Sequence, residues 1–269
     1  MPTGLSVQVE KLHNLMAEYM KSFYSDRPEV QVGIKVKEDH TYYVTRHARD
    51  LAISLGLNEH DADLAEIIGL FHDIGRFHQY TLYQTFNDAK SEDHGDLAIS
   101  VLTELKWLDS MTETDRDIVL FAIKNHNKRF IAPTDDKRKI LFAKIARDAD
   151  KLDIYRVLNP FLSGERKREV ANFIQADPSD AISPNFIEHF KHGEQADYHE
   201  IKTQGDRRVV RLLWIYDVYF AWTMRQIVKA GYIEKIISEL GRHHADELQE
   251  GIDRLRRYVE QKCNETDKI

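Results

Sequence analysis

An all-α fold is predicted by three features of the sequence. Apolar residues recur at helical spacing nearly throughout, strand-type alternation is almost absent, and only 12 Gly and 6 Pro punctuate 269 residues. Leu12, Leu15, Met16, Tyr19, Met20 and Phe23 form a first stripe, which Asp26-Arg27-Pro28 breaks. Val30 to Val36 alternates weakly and reads as an extended lead-in. A second helix is expected to open at His40, to bury Val44, Ala48, Leu51, Ala52 and Leu55, and to close at Gly56. Asn58 is a good N-cap for a third helix running through Leu64, Ile67, Ile68 and Phe71 to about Asp73, with Gly75 marking its end. Residues 76–92 have no clear period and read as a loop. Ser91 is placed to cap a helix carrying Leu97, Ala98, Val101, Leu102 and Leu105. Thr114 and Asp117 resemble a capping box ahead of Ile118, Phe121 and Ala122. Past Pro133, Ile140, Leu141, Ala143 and Ile145 belong to a helix that reaches Asp150 or beyond. Residues 161–205 are polar, with Pro178 and Pro184 interrupting short helices. From Asp206 a long helix is expected through Val209, Leu212, Leu213, Tyr216, Phe220 and Met224, and Gly231 and Gly241 punctuate shorter helices after it. The expected architecture is one helical domain over 1–269, a core of about residues 30–165 with helical extensions, the C-terminal one about 166–269.

Composition narrows the function. Hydrophobic residues are 42% and charged residues 31%, ordinary for a soluble globular chain. A net charge of -7 argues against broad nucleic-acid or membrane binding, both of which want a basic surface. No run of about 18 apolar residues and no signal-type leader is present, so the expected location is cytoplasmic. Cys263 is the lone cysteine and cannot form an internal disulfide. The 13 His raise the expectation of metal or acid–base chemistry slightly.

The chemistry concentrates at Phe71-His72-Asp73-Ile74-Gly75-Arg76. A His beside an Asp at the end of an apolar helix is unusual, and both can reach one ion beyond that end. A purely structural Asp there would sit against the helix dipole. His40 shares a face with Val44, Ala48 and Leu51, and Arg147-Asp148-Ala149-Asp150-Lys151-Leu152-Asp153 can supply a further carboxylate. Such a dense charge run is otherwise a solvated turn.

The string from His40 through Val44, Ala48 and Leu51 to Gly56-Leu57 resembles the opening helix of HD-domain metal-dependent phosphohydrolases. His72-Asp73-Ile74-Gly75 resembles their signature dipeptide and its turn, and Ala149-Asp150-Lys151-Leu152 their last-ligand motif. The resemblance covers roughly residues 38–160 and implies an HD-domain helical bundle with metal ligands at His40, His72, Asp73 and Asp150. His47 is the rival for the first position and Asp148 for the last. His94 and His126 complete an order similar to HD domains holding two metals, among them HD-GYP phosphodiesterases and the di-iron oxygenases of this fold. Asp73 is then the natural bridge, having two oxygens to share. The implied cofactor is a divalent metal ion, two rather than one, of the set Mn, Fe, Zn, Ni or Mg. The stretch from Arg76 to His94 also resembles a loop shared by a group of bacterial HD-domain hydrolases.

The expected activity is metal-dependent hydrolysis of a phosphoester in a nucleotide or other small phosphorylated metabolite, with no nucleic acid or membrane as partner. Asp73, Arg76 and Lys151 are the expected catalytic residues, the two cations as phosphate partners. Lys124, Lys128 and Arg129 flank His126 and either add positive potential or are ordinary surface charge; His78 is either a proton donor or an exposed histidine. The alternative is a di-iron oxygenase acting on a small polyol or phosphonate; a third reading is a sensor or scaffold with a degenerate site. No Gly-Tyr-Pro motif follows the His-Asp pair, which weakens a cyclic-dinucleotide reading. Phe77, His78 and Gln79 stand where guanosine tetraphosphate hydrolases carry acidic residues. The aromatic run with Trp214, Tyr216, Tyr219, Phe220 and Trp222 is expected to be core.

Overall fold

A computed structural model describes residues 4–162, 179–197 and 200–267. The described residues form eleven α-helices and no strand. Pro178 and the stretch 163–178 around it lie outside the described residues. The chain divides into two compact units, Met1–Asp153 and Ile154–Lys268.

In the first unit, α1 (Gly4–Lys21) buries Leu12, Met16 and Met20. Helix α2 (Pro28–Ser54) is longer than expected. The stretch Val30 to Val36 is helical, not extended, and His40 lies well inside α2 instead of opening it. Pro28 starts the helix at a position where its missing N–H costs nothing. Val30, Gly33 and Ile34 then continue the buried stripe at helical spacing. Helix α3 (Glu59–Phe71) begins as expected, with Asn58 Oδ1 accepting from the Asp61 N–H at 2.9 Å.

Two differences follow at its end. Helix α3 stops at Phe71 and α4 (Ile74–Tyr83) starts almost at once, so much of the expected 76–92 loop is helical. Gly75 lies inside α4. A Cβ there would come within 2.8 Å of Ala98 N and His94 O, so this glycine permits a close helix crossing; it does not end a helix. Asp73 is the N-cap residue of α4, where the dipole favours a carboxylate, and the expected conflict with the end of α3 is absent.

Helix α5 (His94–Leu105) is capped by Asp93 instead of Ser91. Helix α6 (Glu113–Asn125) is capped by Thr112, whose Oγ1 accepts from the Asp115 N–H; the expected box at Thr114 begins two residues too late. Helix α7 (Lys137–Leu162) carries Asp150 and Asp153, and the boundary between the two units falls within it. Val44, Ala48, Leu51, Ile67, Phe71, Phe142 and Ile145 are fully buried. Each large side chain so buried contributes about 1.5–3 kcal/mol.

The second unit contains α8 (Pro184–His192), α9 (Gln204–Leu213), α10 (Ala221–Lys229) and α11 (Tyr232–Asn264). The expected long helix from Asp206 to Met224 is broken between α9 and α10. The Asp267 carboxylate accepts the Ala221 and Trp222 N–H groups at 2.6 and 3.0 Å and gives α10 its own start. Gly241 does not interrupt α11, which kinks instead at His244. Phe220 is buried and Trp214, Tyr216, Tyr219 and Trp222 are half-buried. Among the described residues no helix is long and apolar enough to cross a membrane.

Candidate metal centre

All six histidine and aspartate residues singled out as ligands meet in the first unit. His40 comes from α2, His94 from the first turn of α5 and Asp150 from α7. His72 and His126 are the C-cap residues of α3 and α6, and they share one local design. Each ring folds back so that Nδ1 donates to the carbonyl three residues earlier: His72 to Gly69 O and His126 to Ile123 O, both at 2.7 Å. The other two rings donate to carboxylates, His40 Nδ1 to Asp153 Oδ2 and His94 Nδ1 to Asp88 Oδ2, both at 2.6 Å.

These acceptors assign the tautomer. With Nδ1 carrying the proton, each neutral ring points an Nε2 lone pair into the common space. His40 Nε2 and His72 Nε2 are 3.2 Å apart, and His94 Nε2 and His126 Nε2 are 3.0 Å apart. Two lone pairs at that separation repel unless a cation lies between them. Asp73 stands across both pairs. Its Oδ2 is 3.4 and 3.5 Å from the Nε2 atoms of His40 and His72. Its Oδ1 is 3.5 and 3.7 Å from those of His94 and His126. Asp150 Oδ1 joins the first pair, 3.1 Å from His40 and 3.8 Å from His72.

The donor set therefore falls into two groups, His40–His72–Asp73 and Asp73–His94–His126, with one Asp73 oxygen in each. Bonds of about 2.1 Å around an ion place neighbouring ligand atoms roughly 3.0–3.4 Å apart, close to the spacing found. Imidazole with carboxylate suits first-row divalent ions. The residues fit one ion in each group, and Asp73 has the geometry of a shared ligand.

The electrostatics agree. Burial pushes His72 down to about 3 and His94 down to about 4, the Arg76 guanidinium adding to the effect at His94. Both rings stay neutral, as ligands must be. Burial and Lys37 also push His40 down, yet Asp150, Asp153 and Asp73 together raise it to about 10. Without a metal ion the carboxylates thus draw a proton onto His40. Burial raises Asp73, but Lys37 and the surrounding imidazoles hold it well below the carboxylate range.

Arg76 on α4 approaches the same carboxylate. Its Nη1 donates to Gln79 Oε1, Phe86 O and Asp88 Oδ1 at 2.7, 2.7 and 2.8 Å. Its Nη2 lies 3.3 Å from His94 Nε2 and its Nε 3.5 Å from Asp73 Oδ1. Lys151 and Asp148 are buried on the α7 turn that carries Asp150. His47 is half-buried beside Tyr43, and His78 is exposed against the edge of Phe23. Lys124 and Lys128 are paired with Asp96, and Lys128 with Asp93 as well; Arg129 lies over the Phe130 ring.

Four contributors carried no role in the sequence reading. Asp153 and Lys37 had a usable signal, each standing three residues from a ligand on the same helix face, Asp150 and His40 respectively. Asp88, on a single 3₁₀ turn, and the buried Gln79 had none.

Residues 38–155 match the family model of the HD domain, and this part of the chain is an HD domain. All six candidate ligands, with Asp88 and Asp153, fall inside the match. Proteins with this domain are mostly metal-dependent hydrolases. No curated protein and no solved structure gives a significant match to the chain.

Proposed function

We propose that the protein is a metal-dependent phosphohydrolase acting on a nucleotide or another small phosphorylated metabolite, with two divalent ions as cofactor. The observation that carries this is the Asp73 carboxylate, each oxygen of which faces its own pair of imidazole Nε2 atoms. Divalent ions held there supply polarisation of a phosphoryl oxygen and a water acidic enough to attack near neutral pH.

The protein's own groups prepare that chemistry. Asp153 and Asp88 accept from His40 and His94, fix the ring planes and raise the basicity of Nε2. Asp88 is itself held by Arg76 and by Gln79 Nε2, at 2.8 and 2.9 Å. Gln79 also donates to Ser91 Oγ and Glu92 O, so the loop between α4 and α5 is pinned beneath His94. Arg76 holds its guanidinium rigid through Nη1 while Nη2 and Nε face the donor set. A phosphoryl oxygen arriving beside Asp73 meets a planar, pre-positioned donor.

Elemental analysis of the purified protein, alongside a phosphatase screen over nucleotides and sugar phosphates, tests the proposal. The expected result is close to two divalent ions per chain and phosphate release that chelation abolishes. His72→Ala and Asp73→Ala should each lose the ions while keeping helical circular dichroism. Full metal content in both variants would overturn the proposal. Bound iron with oxygen consumption and no phosphate release would favour the oxygenase chemistry instead.

A further inference from the structure

Lys37 lies on α2, three residues before His40 and just outside the stretch that matches the HD domain. Its Nζ donates to Asp73 Oδ2 at 2.6 Å. The other groups around this carboxylate stand further off: the four imidazole Nε2 atoms from 3.4 to 3.7 Å away, and Arg76 Nε at 3.5 Å. Charge-assisted hydrogen bonds to a carboxylate run at about 2.7–2.9 Å, so the Lys37 contact is the strong directional one. The torsion about the Asp73 Cβ–Cγ bond is intrinsically soft. The ammonium pins it with Oδ2 towards His40 and His72, which leaves Oδ1 to His94 and His126. The Lys37 side chain is 16% exposed and Asp73 3%, so water competes little for this bond.

Lys37 is itself held from behind. Its ammonium lies 5.3 Å from the centroid of the Phe86 ring, within reach of a cation–π attraction. Phe86 stacks on Tyr80, with the ring centroids 4.4 Å apart. Tyr80 is buried, and its hydroxyl donates to Glu29 O at 3.1 Å. Its ring occupies the space where a Cβ on residue 33 would stand, so Gly33 is the notch that lets the ring lie against α2. Glu29, Gly33, Lys37 and His40 follow one another at intervals of four, four and three residues, on one face of α2. The face that carries the first candidate ligand thus also carries the seat of the aromatic pair and the ammonium that rests on it.

We propose that Lys37 is a positioning residue, which holds Asp73 as a bridge with one oxygen for each ion, and that the Tyr80–Phe86 pair keeps the ammonium in place. Each carboxylate oxygen has two lone pairs, so Oδ2 can face an ion and still accept from Lys37. Hydrogen-bond partners of this kind orient ligating carboxylates and tune the affinity of a metal site. Without Lys37 the carboxylate is free to turn both oxygens onto one ion, and the link between the two halves is lost. The inference rests on the two-ion part of the proposed function and holds whatever the substrate.

Electron paramagnetic resonance of protein loaded with Mn(II) tests this on the wild type, Lys37→Met and Lys37→Arg, with ion content measured on the same samples. Two Mn(II) ions joined by a carboxylate are exchange-coupled, and the wild type should show the broad coupled signal. In Lys37→Met that signal should give way to the sharp hyperfine pattern of isolated ions. The dissociation constant of the more weakly held ion should rise roughly 10–100-fold. Lys37→Arg, which can still donate to Oδ2, should recover the coupling and most of the affinity. Gly33→Ala touches neither Lys37 nor a ligand, yet its methyl displaces the Tyr80 ring and should weaken the coupling in the same sense. The wild type supplies an arm that depends on no variant: acylation of Lys37, read by mass spectrometry, should stay slower than that of the exposed Lys124 both before and after Mn(II) is added. Unchanged coupling and affinity in Lys37→Met, or fast acylation of Lys37 once the ions are bound, would overturn the role of Lys37 and leave the two-ion reading standing. Coupling lost in Lys37→Met and not recovered in Lys37→Arg would also overturn it, making the lysine a packing element. Full coupling in Gly33→Ala would remove the aromatic pair from the device. A wild type holding two uncoupled ions denies the bridge and so this inference, whereas one that never holds more than a single Mn(II) removes the two-ion reading as well.

Discussion

At the scale of single residues, the centre works by tying up one nitrogen of every imidazole. The acceptors come in two kinds, carbonyls for His72 and His126 and carboxylates for His40 and His94. A carboxylate partner makes the ring a stronger ligand, so Asp153→Asn and Asp88→Asn should weaken metal binding by roughly 10–100-fold. Competition with a chelating dye would measure it, and full affinity in both variants would deny the carboxylates this role. The same residues set the pH response of the metal-free protein. His72 and His94 have folded values of about 3 and 4 against 6.5 in the unfolded chain. Between those limits the unfolded state binds more protons, so stability falls as pH drops from about 6.5 towards 4. His40 is raised to about 10, so its contribution is fully present below 6.5 and is lost as pH rises through 10. Chelated protein should therefore be most resistant to urea near pH 6.5. A midpoint that keeps climbing up to pH 10 would contradict the His40 environment.

At the scale of elements, the ligands depend on where helices stop and how closely they cross. The stripe on α3 and its Asn58 cap were legible because periodicity and capping are local. Helix α4 was not, because Gly75 reads as a terminator in sequence, and only the approach of α5 reveals that it is a crossing point. Asp88 was invisible for a related reason: its partner His94 is reached through the conformation of a non-periodic loop. The crossing can be tested directly. In Gly75→Ala the new methyl would press on Ala98 N and His94 O, both backbone atoms that cannot rotate away. Helix α5 must shift, at a cost of about 1–3 kcal/mol, and His94 moves with it. Denaturant unfolding should show the loss, and ion content should drop towards one per chain because the His94–His126 half suffers first. Arg147 has an equivalent role for the other histidine of that half, His126. Its Nη1 donates to the carbonyls of Asn125, His126 and Lys128, and it caps the end of α6 that carries His126.

At the scale of the whole molecule, the centre joins segments that are distant in sequence. Ligands from His40 to Asp150 stand on or beside α2, α3, α5, α6 and α7, and no local pattern places them together. Their order along the chain pointed to a shared site; the pairing of two histidines on each Asp73 oxygen could be seen only in three dimensions. Drawing five helices onto one carboxylate has a thermodynamic consequence. Without ions, Asp73, Asp150 and Asp153 all converge on the His40 ring, and Lys37 and Arg76 add positive charge at Asp73. Ions that bind the native fold and not the unfolded chain stabilise it by mass action, about 2.7 kcal/mol at a hundredfold excess over the dissociation constant. Chelation should therefore lower the melting temperature by several degrees, and readdition of a divalent ion should restore it in a concentration-dependent way. Hydrogen exchange should place the change: amides around His40 in α2, at the ends of α3 and α6, in the first turn of α5 and around Asp150 should lose protection on chelation. A melting temperature indifferent to both chelator and metal would mean that these helices reach the same arrangement without ions, and the repulsion between the facing lone pairs of His94 and His126 would then need another remedy.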